Sequence, residues 1–236
     1  MPHKGLTGRI QKWISTRPVN CIFCDEWSPS EVCIVCEGDL ARIGPVNLRA
    51  HISRLAKRPS ALRAVLAPFW YTQPMPRFMS YFKFRGYRHY VRVLAPAMSA
   101  QIVHFYGKEQ LLLPEVLVPV PMLTRKEVKR GYNQAAVLSE SLGNILGIPV
   151  ENWVRRIAQR NESHKSTFAT RELINHEFEF FNYFASSSAK RIAIIDDVVT
   201  TGATLLAVRN AVPEQHIIVD GWAAAFTPPP SFRLED

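Results

Sequence analysis

The sequence predicts an α/β fold, a parallel sheet flanked by helices with a small cysteine module ahead of it, on three observations. Short apolar runs alternate with stretches of helical periodicity, the order that a parallel sheet with covered faces requires. All four cysteines fall inside "CIFCDEWSPSEVCIVC", Cys21 to Cys36. The most apolar run, "RIAIID", ends on two adjacent acids, Asp196 and Asp197, and is followed by Thr-Thr-Gly-Ala-Thr. A chain of 236 residues with 47% apolar side chains can bury one full core with a small module beside it.

Taken in order, the elements justify that class. Cys21 and Cys24, then Cys33 and Cys36, form two C-x-x-C pairs. Such pairs set two thiolates on each of two tight turns, the way a zinc ribbon delivers four sulfurs to a tetrahedral ion. Zinc is the expected metal, iron suits the same sulfur set, and disulfides are the alternative in an oxidising compartment. A site filled by four sulfurs is closed, so its expected role is structural. "GPVNLRAHISRLAKRPS" has loose helical spacing up to Pro59 and is expected to be a linker helix. A helix is expected from Arg88 to Gly107, kinked at Pro96, then a strand in "PEVLVPVP" and a helix from Asn133 to Leu146 stopped by Gly147. "PVENWVRR" supplies a second candidate strand, "RIAIID" a third and "HIIVDGWAAAF" a fourth, with a helix opening near Thr204. The expected domains are a four-cysteine zinc-binding module over 1–45, a linker helix over 46–66 and the sheet domain over 67–236.

Ligands of open parallel sheets bind beyond the carboxyl ends of the strands. Asp196 and Asp197 occupy that end, and the loop after them opens a helix, whose first amides attract an anion. Val199, Thr200, Thr201, Gly202, Ala203 and Thr204 bring hydroxyls and close backbone approach. Carboxylates for a ribose diol and a loop for a phosphate together suit a phosphorylated sugar.

This segment resembles the 5-phosphoribosyl-1-pyrophosphate (PRPP) signature of the type I phosphoribosyltransferases. "VPVPMLTRKEVKRGYNQA", Val118 to Ala135, is similar to the Pro-Val-Pro and Arg-Gly-aromatic-Asn-Gln segment of the ComF/GntX-like family, which also begins with a C-x-x-C module. The resemblance implies a type I phosphoribosyltransferase-like sheet, PRPP and Mg²⁺ as ligands, and catalytic roles for Asp196 and Asp197. It makes Arg125, Lys126 and Arg130 candidates for the pyrophosphate, and it places a flexible hood over 159–171, with Lys165. There this chain reads "HKSTF" where the family carries Gln followed three residues later by Leu. The family also implies natural transformation, with single-stranded DNA and the DNA-uptake machinery as partners. The acceptor for phosphoribosyl transfer and the oligomeric state stay open.

Charge adds a second theme. Between Leu40 and Lys108 there is no acid, and twelve cations leave −3 for the rest of a chain whose net charge is +9. Such a field attracts polyanions. Lys83, Arg85 and Arg88 are the nucleic-acid candidates, interleaved with aromatics in "WYTQPMPRFMSYFKFRGYRHY" that either stack on bases or belong to the core. No run approaches the roughly 20 apolar residues of a membrane span, and "MPHKGLTGRIQKW" lacks an apolar leader, so a cytoplasmic protein without membrane insertion is expected.

Overall fold

The computed structural model describes residues 19–58, 61–84, 86, 88–157, 177–181, 189–212 and 217–229. Contacts divide the chain into one unit ending at Leu40 and another starting at Ala41.

In the first unit β1 (Val19–Asn20) pairs antiparallel with β2 (Trp27–Ser28), and a short helix, α1 (Ile34–Gly38), follows. Among its described residues Cys21, Val32 and Leu40 are the buried apolar ones, whereas Trp27, Ile34 and Val35 are exposed. Burial on that scale offsets little of the entropy of ordering residues 19–40, which favours a further constraint there.

The second unit holds a five-stranded sheet in which every pairing is parallel. Its strands are β3 (Val65–Leu66), β4 (Phe69–Trp70), β5 (Val116–Pro119), β8 (Arg191–Val199) and β9 (Ile218–Phe226). The order is β3-β9-β8-β5, and β4 takes up the edge of β9 beyond β3. Ala67 and Pro68 separate β3 from β4, and proline has no N–H to give a ladder. The centre of the sheet is β8 and β9, apolar on both faces, as a parallel strand covered twice must be.

The helices are α2 (Ser53–Ala56), α3 (Met75–Phe84), α4 (Val91–Lys108), α5 (Thr124–Arg130), α6 (Gln134–Leu146) and α7 (Ala203–Ala211). Neighbouring residues of β9 point to opposite faces. A side chain at Gly221 would meet Leu205 of α7, while the Trp222 ring lies 5.8 Å from Tyr106 of α4. Helices α4 and α6 therefore cover one face and α7 the other. On the α4 face, fully buried Asp220 takes Nε (3.0 Å) and Nη2 (2.5 Å) of Arg63, the Tyr106 hydroxyl (2.5 Å) and the Ala64 amide (3.1 Å). A buried carboxylate so satisfied ties β9, α4 and the entry to β3 together. Burial first, and the Asp220 charge second, push the Tyr106 hydroxyl far above its ordinary value, so it stays a donor.

Several expectations meet their elements closely. The helix expected over Asn133–Leu146 is α6, with Asn133 accepting from the Ala135 amide as N-cap and Gly147 in the left-handed region at φ +70° as C-cap. Among the described residues of the 46–66 segment, the expected linker helix is two short turns, Leu48–His51 and α2, followed by β3 inside the sheet. The "PVENWVRR" strand leaves the parallel sheet. Val150 makes a single parallel bridge to Leu117, and then β6 (Val154–Arg156) pairs antiparallel with β7 (Phe178–Phe180). The helix expected to close at Gly107 runs to Lys108, with Pro96 inside it. No helix among the described residues is long and apolar enough to cross a membrane.

Candidate functional site

Strand β8 runs through both acids to Val199, so its last turn of pleat carries Asp196 and Asp197 to the carboxyl end of the sheet. The chain then turns at Gly202, φ +73°, and α7 begins. A Cβ at Gly202 would stand 2.5 Å from Ile52 Cγ2 and 3.1 Å from Leu55 Cγ. Glycine is thus required twice, by the backbone and by the neighbouring turn. Gly202 provides no side-chain cap, and the amides of Ala203, Thr204 and Leu205 have no hydrogen-bond partner among the described residues. A small cavity of about 30 Å³, lined by Asp196, Val198, Val199, Thr200 and Gly202 to Leu205, opens at these donors. Thr201 is exposed beside it.

A second cavity, of about 230 Å³, adjoins the first through Asp196, Val198 and Thr204. Its walls bring both acids together with Lys83, Lys126, Arg130 and Arg156, and with Asn133 and Gln134. Lys83 Nζ pairs with Asp197 Oδ2 at 2.9 Å, and the Asp197 amide donates to Asp196 Oδ1 at 2.8 Å. Asp196 is half-buried. Burial, with the Asp197 charge second, raises its carboxyl to about 7 against the opposing pull of the Asp197 amide, Lys83 and Arg156. Four cations around two acids leave the pocket with surplus positive charge, which suits a polyanion.

The Arg-Gly-Tyr-Asn-Gln segment explains how Lys83 reaches that pocket. The Tyr132 hydroxyl donates to the Phe82 carbonyl, and Gln134 Nε2 donates to the Lys83 carbonyl at 3.3 Å. Both satisfy acceptors left open at the end of α3. Arg130 donates to Gln134 Oε1 at 3.1 Å and lies 4.6 Å over the Phe84 ring. Asn133 Nδ2 donates to the Val120 carbonyl at the exit of β5. One motif therefore fixes the end of α3, the start of α6 and the loop after β5 around the acids.

Of the candidates for the pyrophosphate, Lys126 and Arg130 line the pocket, whereas Arg125 is exposed on α5 and does not. Lys83 faces Asp197, and Arg88 lies 4.7 Å over the Tyr132 ring and donates to the Gly131 carbonyl at 3.3 Å. Arg85 and Lys165, with the whole 159–171 hood stretch, lie outside the described residues. Arg156 was not singled out by sequence. It pairs with Glu177 and lies 5.3 Å from the Phe178 ring centroid, so the β6–β7 ladder presents it to the pocket. Phe78, Phe82 and Tyr90 are buried, and Phe78 stacks on Tyr90 at 4.3 Å, so these aromatics belong to the core.

In the first unit, the four cysteine sulfurs lie within 4.8 Å of one another. Sulfurs around 2.3 Å from a tetrahedral ion stand about 3.8 Å apart, and Cys24 Sγ and Cys33 Sγ are 3.8 Å apart. The Cys33 amide donates to Cys21 Sγ and the Cys36 amide to Cys33 Sγ. Burial resists ionisation of Cys21, but amides outweigh it and bring its thiol down to about 6. Burial and the neighbouring sulfurs push Cys36 far up. Sulfurs that cannot all ionise unaided are a donor set in want of a cation, so the geometry fits a metal such as zinc.

No family model matches the chain. It is 34% identical over 140 residues to "Competence protein F" of Haemophilus influenzae, a match covering 57% of this chain and 60% of that protein's length. It is 28% identical over 219 residues to "Competence protein ComFC" of Bacillus subtilis, covering 78% and 85%. To "DNA utilization protein YhgH" of Salmonella typhimurium it is 25% identical over 154 residues, covering 64% of this chain and 66% of the relative. Among solved structures, adenine phosphoribosyltransferase of Saccharomyces cerevisiae is similar over 62% of this chain and 80% of that one, at TM-score 0.34 and 12% identity. That likeness is too slight to bear on activity. The chain is thus similar to several curated proteins named for competence or DNA utilization, and it spans about 60% of the length of the Haemophilus influenzae relative.

Proposed function

We propose that the chain binds PRPP with Mg²⁺ in the pocket formed by β8, the loop into α7 and the Arg-Gly-Tyr-Asn-Gln motif, in support of DNA uptake. The observation that carries this reading is the shared cavity: two carboxylates, uncapped helix amides and four cations converge on adjoining spaces. The amides of Ala203 to Leu205 and the Thr204 hydroxyl would take the 5′-phosphate, and Asp196 and Asp197 the ribose hydroxyls. Lys126, Arg130 and Arg156 would face the pyrophosphate. Lys83 would release Asp197 as the diol arrives.

If an acceptor follows, its nucleophilic atom forms a bond to C1 of the ribose as the bond from C1 to pyrophosphate oxygen breaks, the electron pair leaving with pyrophosphate. The ionised acids favour the positive charge that the ring acquires, and the cations offset the charge on the departing group. Bound with PRPP, Mg²⁺ supplies further neutralisation of that charge. In the first unit, zinc on Cys21, Cys24, Cys33 and Cys36 would hold the module folded.

Crystals soaked with PRPP and Mg²⁺ test the placement. The expected density puts the 5′-phosphate at the α7 amides and the ribose against the acids. Density elsewhere, with the loop vacant, would refute it.

A further inference from the structure

Beside α7 lies a cavity other than the acidic pocket, a space of about 480 Å³ lined by Arg54, Lys57, Arg58, Ala203, Leu206, Ala207 and Asn210. We infer that it is a second ligand site, built for a nucleotide unit, with the base on the helix face and its phosphate on the cations.

The wall supplied by α7 is a single helical face. Ala203, Leu206, Ala207 and Asn210 recur at the spacing of one side of a helix. The first three are small or aliphatic and half-buried, and Leu206 and Ala207 pack down onto the core. They make a floor flat and apolar enough for a base, and Asn210 ends that row with an amide that can both donate and accept at a base edge. The opposite wall, α2 and the residue pair after it, contributes three cations and no acid. Arg54, Lys57 and Arg58 are exposed and have no ion-pair or hydrogen-bond partner through their side chains among the described residues. Unpaired guanidinium and ammonium groups beside an apolar floor are the two halves of nucleoside phosphate recognition. The volume lies in the range of small-ligand pockets.

The placement also changes which residues meet nucleic acid. Lys83 and Arg88 are engaged with Asp197, Tyr132 and Gly131. Arg54, Lys57 and Arg58 belong to the same acid-free segment but are uncommitted. Helix α2 and the turn before it also touch Gly202 through Leu55 and Ile52, so the two sites share one loop without sharing ligand residues other than Ala203.

A nucleoside phosphate can come from a free nucleotide or from a single strand, and one experiment separates them. Fluorescence anisotropy of a labelled oligothymidylate is recorded across a salt series, with thymidine monophosphate as competitor, for the wild-type protein and for the triple variant Arg54→Ala, Lys57→Ala, Arg58→Ala. The variant is expected to bind the strand at least about tenfold more weakly, with a salt slope reduced by about 2, since each phosphate contact on a single strand contributes roughly 0.7. Ala207→Leu, which fills the floor and keeps the charges, should weaken binding without changing the slope. Competition by millimolar monophosphate assigns the site to free nucleotides, and its failure assigns it to a strand. Each variant is titrated with PRPP in parallel. Retained PRPP binding rules out misfolding, and the D196N/D197N variant, which should keep strand binding, separates failure of this site from failure of the PRPP reading. A triple variant that binds the strand as tightly as wild type with the same salt slope would overturn the inference.

Discussion

Asp196 carries its proton to about pH 7 in the folded chain, against an ordinary value of 3.8. Between those values the folded state holds a proton that the unfolded state has lost. The benefit to folding is complete below pH 4 and is lost as pH rises through 7. Asp196→Asn removes that dependence. Relative to it, wild type should lose about 2 kcal/mol of stability between pH 4 and pH 8, read by denaturant melts across pH. Parallel curves for the two proteins would mean that the carboxyl is not held up. A site that costs stability in this way is a common feature of ligand-binding pockets. Gly202 works through shape instead. Gly202→Ala meets both a left-handed backbone and the Ile52 side chain 2.5 Å away, so it should cost about 2–3 kcal/mol in thermal or denaturant unfolding and weaken PRPP binding. An alanine variant as stable as wild type would mean that the turn relaxes freely.

At the scale of elements, the strand-loop-helix around Asp196 was legible because its chemistry is local: an apolar run, two acids and a hydroxyl loop are contiguous in sequence. The caps of α6 were legible for the same reason, since Asn133 and Gly147 act within a turn of the helix they bound. Arg156 was not, because what brings it to the pocket is an antiparallel ladder with residues 178–180, far along the chain. Nor was the place of Lys83, which depends on Tyr132 and Gln134 holding the end of α3. Strands β3 and β4 have two residues each, too few for a period to register. The cysteine module was legible from spacing alone. The few buried apolar residues among its described part imply that, with the proposed metal on the four sulfurs, chelation or Cys21→Ser should raise amide hydrogen exchange over 19–40 to near the unfolded rate. Unchanged protection after metal removal would make the sulfurs incidental to the fold.

Across the whole molecule, one sheet edge gathers the acids of β8, the loop after β5 and the end of α3, while the Asp220 lock holds β9, α4 and β3 beneath it. Part of the basic excess between residues 40 and 108 lines two cavities, Lys83 at the acidic pocket and Arg54, Lys57 and Arg58 beside α7, while Arg63 pairs with Asp220 and Arg88 lies over Tyr132. Composition revealed the excess, but only the fold distributes it. Phe78 and Phe82, which could have stacked on bases, instead fill the core, because α3 turns them inward at helical spacing.

The central claim is that the paired acids and the uncapped loop form one PRPP site. Calorimetric titration of the wild-type chain and of the D196N/D197N variant with PRPP in excess Mg²⁺ tests it most directly. The account predicts saturable binding at one site in wild type and at least a hundredfold loss in the variant, with its melting temperature no lower than that of wild type at pH 8. Equal affinity in the two proteins would contradict it.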